Sequence, residues 1–581
     1  MSHKIKLVSA RQEVQVQFDD RLILSAPIGT SLRDFFEEAA QHRSFDATVV
    51  AAVYEGKLRE LSYAPRRDGR VEAVTMRSTD GARIYRRSLV LLLTAAAHER
   101  FGARIAVKHA MPDGAFWCEV VHRPAFSPEE LAELEHFMRQ MVIQDEPIIK
   151  RSVPLDEAEA LFAQRGDQDK VRLLQHRTDE YLTLYSLRSY SDYYYGYMTP
   201  SVGCLQYFRL IHQGQTFLLQ YPHPETPDRL EIIRAHPKIT EAFNQTETWL
   251  ERLGIEDIGR LNALIKSSRC QEIILVAEAL HEQGVARIAH QISERYAQGL
   301  RVVLIAGPSS SGKTTFSKRL AIQLLAHGIH PLTLEMDMYF VDRSLTPRDE
   351  NGDYDFESFD AINISLFNQQ LGQLLRGESV QVPRFDFVEG RSLPGRHVRL
   401  RPNQIILIEG IHGLNPSLVT QLKADQLFRV YVSVLAQVNL DMHNRVPTTD
   451  VRLLRRIVRD ARTRGYDAQA TLERWASVQR GEKRNIFPYQ ENADAVFNSA
   501  LMYELAALRP LVEPLLLQVK PLTWAAIEAR RLLAFLRWVV PLPVSQINAI
   551  PDTSLLREFI GASILDDYHP TDPFSIEEEA E

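Results

Sequence analysis

One stretch constrains this chain more than any other. The apolar run Val302-Val303-Leu304-Ile305-Ala306 leads directly into Gly307-Pro308-Ser309-Ser310-Ser311-Gly312-Lys313-Thr314. The spacing is G-x-x-x-x-G-K-[ST], and the amphipathic pattern that follows, Thr315 to His327, is closed by Gly328. A strand, a glycine-bounded loop and a helix in that order turn backbone N–H groups around an anion, and the helix N-terminus adds its dipole. Lys313 then reaches the β- and γ-phosphates of a nucleotide, and Thr314 offers a hydroxyl to Mg²⁺. The expected nucleotide-binding residues are Gly307, Ser309, Ser310, Ser311, Gly312, Lys313, Thr314 and Thr315, and the expected cofactors are ATP and Mg²⁺.

Three further patterns point to the same edge of a sheet. The apolar strand Ile405–Ile408 ends at Glu409-Gly410, which suits a carboxylate that holds a metal or its water. The strand Pro331–Met336 delivers Asp337. Transfer of a phosphoryl group to an alcohol needs a carboxylate that orients the hydroxyl and takes its proton. Asp337 is assigned that role, with a strand-end turn or helix cap as the plain alternative. Arg452, Arg455, Arg456 and Arg459 recur so that several share one helical face, and Arg462 and Arg464 follow. Such density is costly without anions nearby, so the segment is expected to close over phosphates; a solvated face and an RNA-binding face are the alternatives.

At 581 residues the chain exceeds one core, so three to five domains are expected. The expected class is multidomain α/β. Residues 1–80 read as a small ubiquitin-like fold: Val14, Val16 and Phe18 alternate, Leu32, Phe35, Phe36 and Ala39 follow helical spacing, and a strand runs from Thr48 to Tyr54. Residues 81–230 read as α+β, with helices over Leu89–His98 and Pro128–Val142. The aromatic run Tyr190–Tyr197 is read as a packed strand before a base-stacking platform. Residues 231–297 form a helical connector, 298–505 the parallel-sheet domain, and 506–581 a helical tail ending in an acidic stretch, Ile576–Glu581. A net charge of -7 speaks against a chain devoted to bulk nucleic-acid binding. The start of the chain lacks the apolar core of a signal peptide, and runs such as Leu89–Leu93 are too short to span a bilayer, so no membrane association is expected. Cys118, Cys204 and Cys270 are scattered, which fits neither a zinc site nor a disulfide framework and suits a reducing cytoplasm.

From about 300 to 500 the chain resembles the uridine kinase/phosphoribulokinase family. The motifs that carry the resemblance are GPSSSGKTT (307–315), MDMYF (336–340), FESFDA (356–361), RFDF (384–387), ILIEGIHGL (406–414), RRIVRDARTRG (455–465) and ENADAVF (491–497). It implies a P-loop kinase with Asp337 as catalytic acid-base residue and Lys313, Arg459 and Arg464 serving the transferred phosphate. It implies Tyr339, Glu357, Phe385, Asp386 and Arg456 on the substrate side, with Glu357 holding ribose hydroxyls, and Thr314 and Glu409 at the metal. The departures fall on the substrate side. Glu357 stands where uridine kinases usually have Asp, Gly390 stands where they have a base-recognising His, and Tyr466 interrupts their Arg-Gly-Arg-Asp.

The first 230 residues resemble the front of threonyl-tRNA synthetase, 1–80 its TGS domain and 88–120 and 156–170 its editing-type domain. The positions of that domain's His-x-x-x-His and Cys-x-x-x-His read Leu91, Ala95, Tyr194 and Met198 here. None of them is a usual metal ligand, base or nucleophile, so deacylation of mischarged tRNA is expected to be lost. Phosphorylation of a nucleoside 5′-hydroxyl, uridine- or cytidine-like, is the leading expectation. An ATP-gated RNA- or tRNA-binding regulator and a kinase acting on a sugar or sugar phosphate stay open. RNA partnership and homo-oligomerisation are likewise left open.

Overall fold

The computed structural model describes residues 11–570 except 268, 350, 351, 436 and 437. The acidic stretch expected at Ile576–Glu581 lies outside the described residues. The chain is a multidomain α/β protein that divides into two compact units. Unit 1 comprises residues 1–234 together with 439–445 and 520–538; unit 2 comprises 235–438, 446–519 and 539–581.

Unit 1 opens with a five-stranded mixed sheet. Strand Glu13–Gln17 pairs antiparallel with Ile23–Pro27 and parallel with Gly69–Thr75, which also pairs with Val49–Tyr54. Alternation buries Val14 and Val16 against helix Leu32–Ala39, whose Leu32, Phe35, Phe36 and Ala39 form the facing stripe. The N-cap Ser31 and Asp34 start that helix with a reciprocal capping box. The long helix Thr79–Phe101 follows and is buried along Ser88–Ala97 beside the sheet of Arg104–Met111 and Ala115–Val121. Tyr190–Tyr193 is a strand paired with Tyr181–Leu187, and its aromatic rings are core.

The two late segments complete this unit. Lys170 is buried with its ammonium 3.0 Å from Asp192 and 3.0 Å from Asp441, and His443 Nδ1 lies 2.6 Å from Asp192. Burial alone would raise the Asp192 pKa, but Lys170, His443 and Arg165 hold it below the ordinary carboxylate value. The main chain joins in, since Val107 N donates to Met442 O and Met442 N donates to Asp169. Helix Trp524–Leu536 brings Glu528 to Arg83 in a two-pronged pair of 2.8 and 3.1 Å. The expected single C-terminal tail, 506–581, is therefore divided: Lys520–Trp538 belongs to unit 1, whereas 506–519 and 539–570 belong to unit 2.

Unit 2 is built on a five-stranded parallel sheet: β1 (Val302–Ala306), β2 (His330–Glu335), β3 (Gln404–Glu409), β4 (Leu427–Ser433) and β5 (Ala495–Asn498), in the order β2-β3-β1-β4-β5. The central strands carry the unbroken apolar runs Val302–Ala306 and Ile405–Ile408 because both faces are covered. Helix α1 (Lys313–Ala326) follows the glycine loop. Helix α2 (Thr448–Arg459) carries the arginines, and α3 (Ala468–Asn485) packs beside it. Helices Pro237–Leu253, Ile258–Lys266 and Cys270–Ala297 precede the sheet. Among the described residues no helix is long and apolar enough to cross a membrane.

Candidate functional site

Strand register places the site. In the parallel sheet Ile305 of β1 and Glu335 of β2 both stand level with Glu409 of β3. Gly307 and Asp337 each lie two residues beyond that level, so the loop and the aspartate leave the sheet at the same C-terminal edge, where α/β sheets bind ligands. Gly307 is required there: a Cβ would sit 1.9 Å from the carbonyl oxygen of Val432 on β4. Gly312 caps α1 in the left-handed region, at φ 88°.

Lys313 Nζ lies 3.8 Å from Glu409 Oε1, and Thr314 Oγ1 donates to Glu409 Oε2 at 3.2 Å. A hydroxyl and a carboxylate at the mouth of an anion-binding loop form a donor set of the hard-oxygen kind that Mg²⁺ takes, with phosphate and water supplying its other ligands. Among the described residues no three acidic, histidine or cysteine side chains gather closely enough to hold a metal alone. The hydroxyls of Ser310 and Ser311 are buried without a partner, which fits a loop shaped for an anion.

Carboxylates crowd this edge. Burial pushes Glu409 up to about 7 against the pull of Lys313, with Asp337, Glu335 and Glu558 adding to the rise. The Asp337 side chain opens to solvent, yet the surrounding protein strips enough water to raise its pKa; Lys313 and Arg464 oppose this and Glu335 reinforces it. Burial also lifts Glu357 to about 7, helped by Glu482 and opposed by Arg456 and Lys313. Glu357 Oε2 is buried without a hydrogen-bond partner.

The arginine helix differs from its expected role. Instead of an exposed cover, α2 is a buried wall behind the loop. Arg452 pairs with Glu482 at 2.5 and 2.8 Å and donates to Ser309 O; Arg455 pairs with Glu504 at 2.7 Å and donates to the carbonyls of Ser310 and Ser311. Both guanidinium groups are buried. They tie the loop's carbonyls to α2, while the amide of Ser309 donates to Glu482 and that of Ser311 to Pro308 O. Buried glutamates, not a substrate, therefore answer the like-charge cost at these two positions. Three of the other arginines gather on Asp460: Arg456 Nε at 3.2 Å, Arg459 Nε at 3.3 Å and Arg464 Nη1 at 3.5 Å. Burial, with Arg464 nearby, pushes Arg459 down to about 10.

Several expected site residues are placed elsewhere. Tyr339 is core: its hydroxyl donates to Gln370 at 2.9 Å and its ring meets Phe367 edge-on. Phe385 is buried against Phe340. Asp386 caps a hairpin turn by accepting from the amides of Val388 and Glu389, so its carboxylate serves the backbone. These three corrections share one cause, because a motif position fixes sequence distance from the site but not side-chain direction. Ser309 is also committed, its amide donating to Glu482 and its hydroxyl accepting from Arg456. Beside Gly390, the guanidinium of Arg343 occupies the space a side chain would need.

Sequence reasoning missed Glu482, Glu504 and Glu558. Glu558 Oε2 accepts from Thr315 N at 3.3 Å and from Thr315 Oγ1 at 3.0 Å. No periodic signal marks these glutamates; the surplus of arginine in α2 was the one hint that carboxylates had to be near.

Comparison with known proteins finds two kinds of relative along the chain. Residues 302–505 match the model of the Phosphoribulokinase / Uridine kinase family. That stretch is thus a P-loop kinase segment of the uridine kinase and phosphoribulokinase type. The N-terminal region is similar to threonine–tRNA ligases. One from Polaromonas sp. is 30% identical over 159 residues, 27% of this chain and 25% of the ligase. One from Teredinibacter turnerae is 31% identical over 164 residues, 28% of this chain and 26% of the ligase. The chain thus spans about a quarter of the length of these relatives. Among solved structures, the phosphoribulokinase from Rhodobacter spheroides aligns with 34% of this chain and 69% of its own, at 17% identity and a TM-score of 0.23.

Proposed function

We propose that unit 2 transfers the γ-phosphoryl group of ATP to the 5′-hydroxyl of a uridine- or cytidine-like nucleoside. The observation that carries this reading is the convergence of Lys313, Glu409 and Asp337 at one sheet edge, beside the glycine-bounded loop. In the reaction the acceptor oxygen bonds to the γ-phosphorus, the bond from that phosphorus to the bridging oxygen of ADP breaks, and the hydroxyl proton passes to Asp337. A base with a raised pKa retains that proton better near neutral pH. Lys313 meets the charge on the phosphates. Mg²⁺, when bound at Thr314 and Glu409, would neutralise part of the charge that builds on the phosphoryl oxygens. The half-buried Glu357, with one oxygen unpartnered, is positioned to accept hydrogen bonds from vicinal hydroxyls of a ribose.

A substrate panel tests this. Purified protein with MgATP is expected to form ADP only when a nucleoside is added. Turnover with sugars or sugar phosphates alone would move the acceptor to that class, and no acceptor-dependent turnover at all would remove the kinase reading. For the front half we propose no tRNA deacylation, since Leu91, Ala95, Tyr194 and Met198 are all buried in its core.

A further inference from the structure

The anion position at the start of α1 already holds an anion from this chain. Glu558 places one carboxylate oxygen on both the amide and the hydroxyl of Thr315. That residue lies in the loop-helix junction whose N–H groups cradle the phosphates of a bound nucleotide. The carboxylate oxygen therefore stands where a phosphate oxygen of the donor is expected.

The segment that carries Glu558 is fastened on several sides. Leu555 packs on the loop, its Cδ2 2.4 Å from where a Cβ on Gly312 would be. Arg462 donates to the carbonyls of Glu558 and Phe559 at 3.2 and 3.3 Å, and the guanidinium of Arg455 lies 5.1 Å from the Phe559 ring centroid. Lys318 on α1 donates to Leu565 O and Asp566 O at 2.6 and 2.7 Å. Ser554 Oγ donates to Glu278 at 2.6 Å. A contact held this way is part of the fold of unit 2, not a chance approach of a loose end.

We propose that Glu558 is an internal competitor for the donor's phosphate, so that the segment Leu555–Leu565 holds the kinase site in a low-affinity state that nucleotide must displace. The proposal rests on the nucleotide-binding reading of the loop given above. Like charges make the two occupants exclusive: a triphosphate beside an unmoved Glu558 would place anion against anion in a partly dehydrated site. Both the arginine segment and α1 grip the same segment, through Arg462 and Lys318, so its release would be felt at both.

Calorimetric titration of MgATP into the whole protein tests this, using the unaltered chain, Glu558→Gln and Lys313→Ala. Glu558→Gln keeps the shape and removes the charge, and it is expected to bind MgATP about ten-fold more tightly, the worth of a lost charge-assisted competitor. Equal or weaker binding by a folded Glu558→Gln protein, while Lys313→Ala abolishes binding, overturns the proposal and leaves the nucleotide reading intact. No binding by any of the three overturns both. Should Glu558→Gln fail to fold, amide hydrogen exchange in the unaltered protein decides. Faster exchange over Leu555–Leu565 on adding MgATP supports displacement; unchanged or slower exchange there refutes it.

Discussion

Asp337 shows how much one side chain is asked to do. It is the carboxylate that leaves β2 into solvent at the level of the loop, and its only task in the proposed reaction is to take a proton. Asp337→Asn keeps the shape and removes the base, so kcat is expected to fall about 10²- to 10⁴-fold while MgATP affinity changes little; an undiminished kcat would take Asp337 out of the chemistry. Glu357 gives a test in pH. Its pKa rises from an ordinary 4.5 to about 7 in the fold, so the folded protein holds the extra proton between those values. The stability contributed this way is fully present below 4.5 and is lost as pH rises through 7. Glu357→Gln should accordingly raise the melting temperature at pH 8 and leave it nearly unchanged at pH 4. The same ionisation should lower KM for a ribose-bearing acceptor between pH 6 and 8 in the unaltered protein only. At this scale loop spacing and strand ends were legible, and they set Lys313, Thr314, Glu409 and Asp337 at one sheet edge. The sequence misplaced Tyr339, Phe385 and Asp386, whose directions depend on packing partners far along the chain, such as Gln370.

Elements were more legible than side chains. The apolar runs at 302–306 and 405–408 are strands, and of the expected stripe Leu131, Leu134, Phe137, Met138 and Met141 all but the partly buried Phe137 are core, because periodicity reports burial directly. The role of α2 was not legible, since a row of arginines reads alike whether it meets phosphate, water or glutamate. Its pairing with α3 makes a sharp prediction. Breaking the buried Arg452–Glu482 pair by Glu482→Ala should cost about 3–5 kcal/mol in urea unfolding, because an uncompensated guanidinium stays inside. Replacing both partners with methionine should cost clearly less than that. Equal losses for the single and double changes would mean that the pair matters through Ser309 rather than through its charges.

At the scale of the molecule, unit 1 is not a continuous stretch of sequence. Its buried charge cluster takes Lys170 and Asp192 from the front of the chain and Asp441 and His443 from far downstream. No local pattern signals such a union, which is why the sequence suggested separate domains in simple succession. A fragment ending at residue 234 is expected to show no cooperative urea transition, or one with a midpoint well below that of the whole protein; a fragment as stable as the intact chain would show the late segments to be ornamental. The arrangement also governs biogenesis. While a ribosome is still translating the kinase half, Lys170 has yet to meet Asp441, and Arg83 waits longer still for Glu528. The nascent N-terminal half must therefore stay unfinished, or be sheltered by a chaperone, until the segment that carries Glu528 has been made.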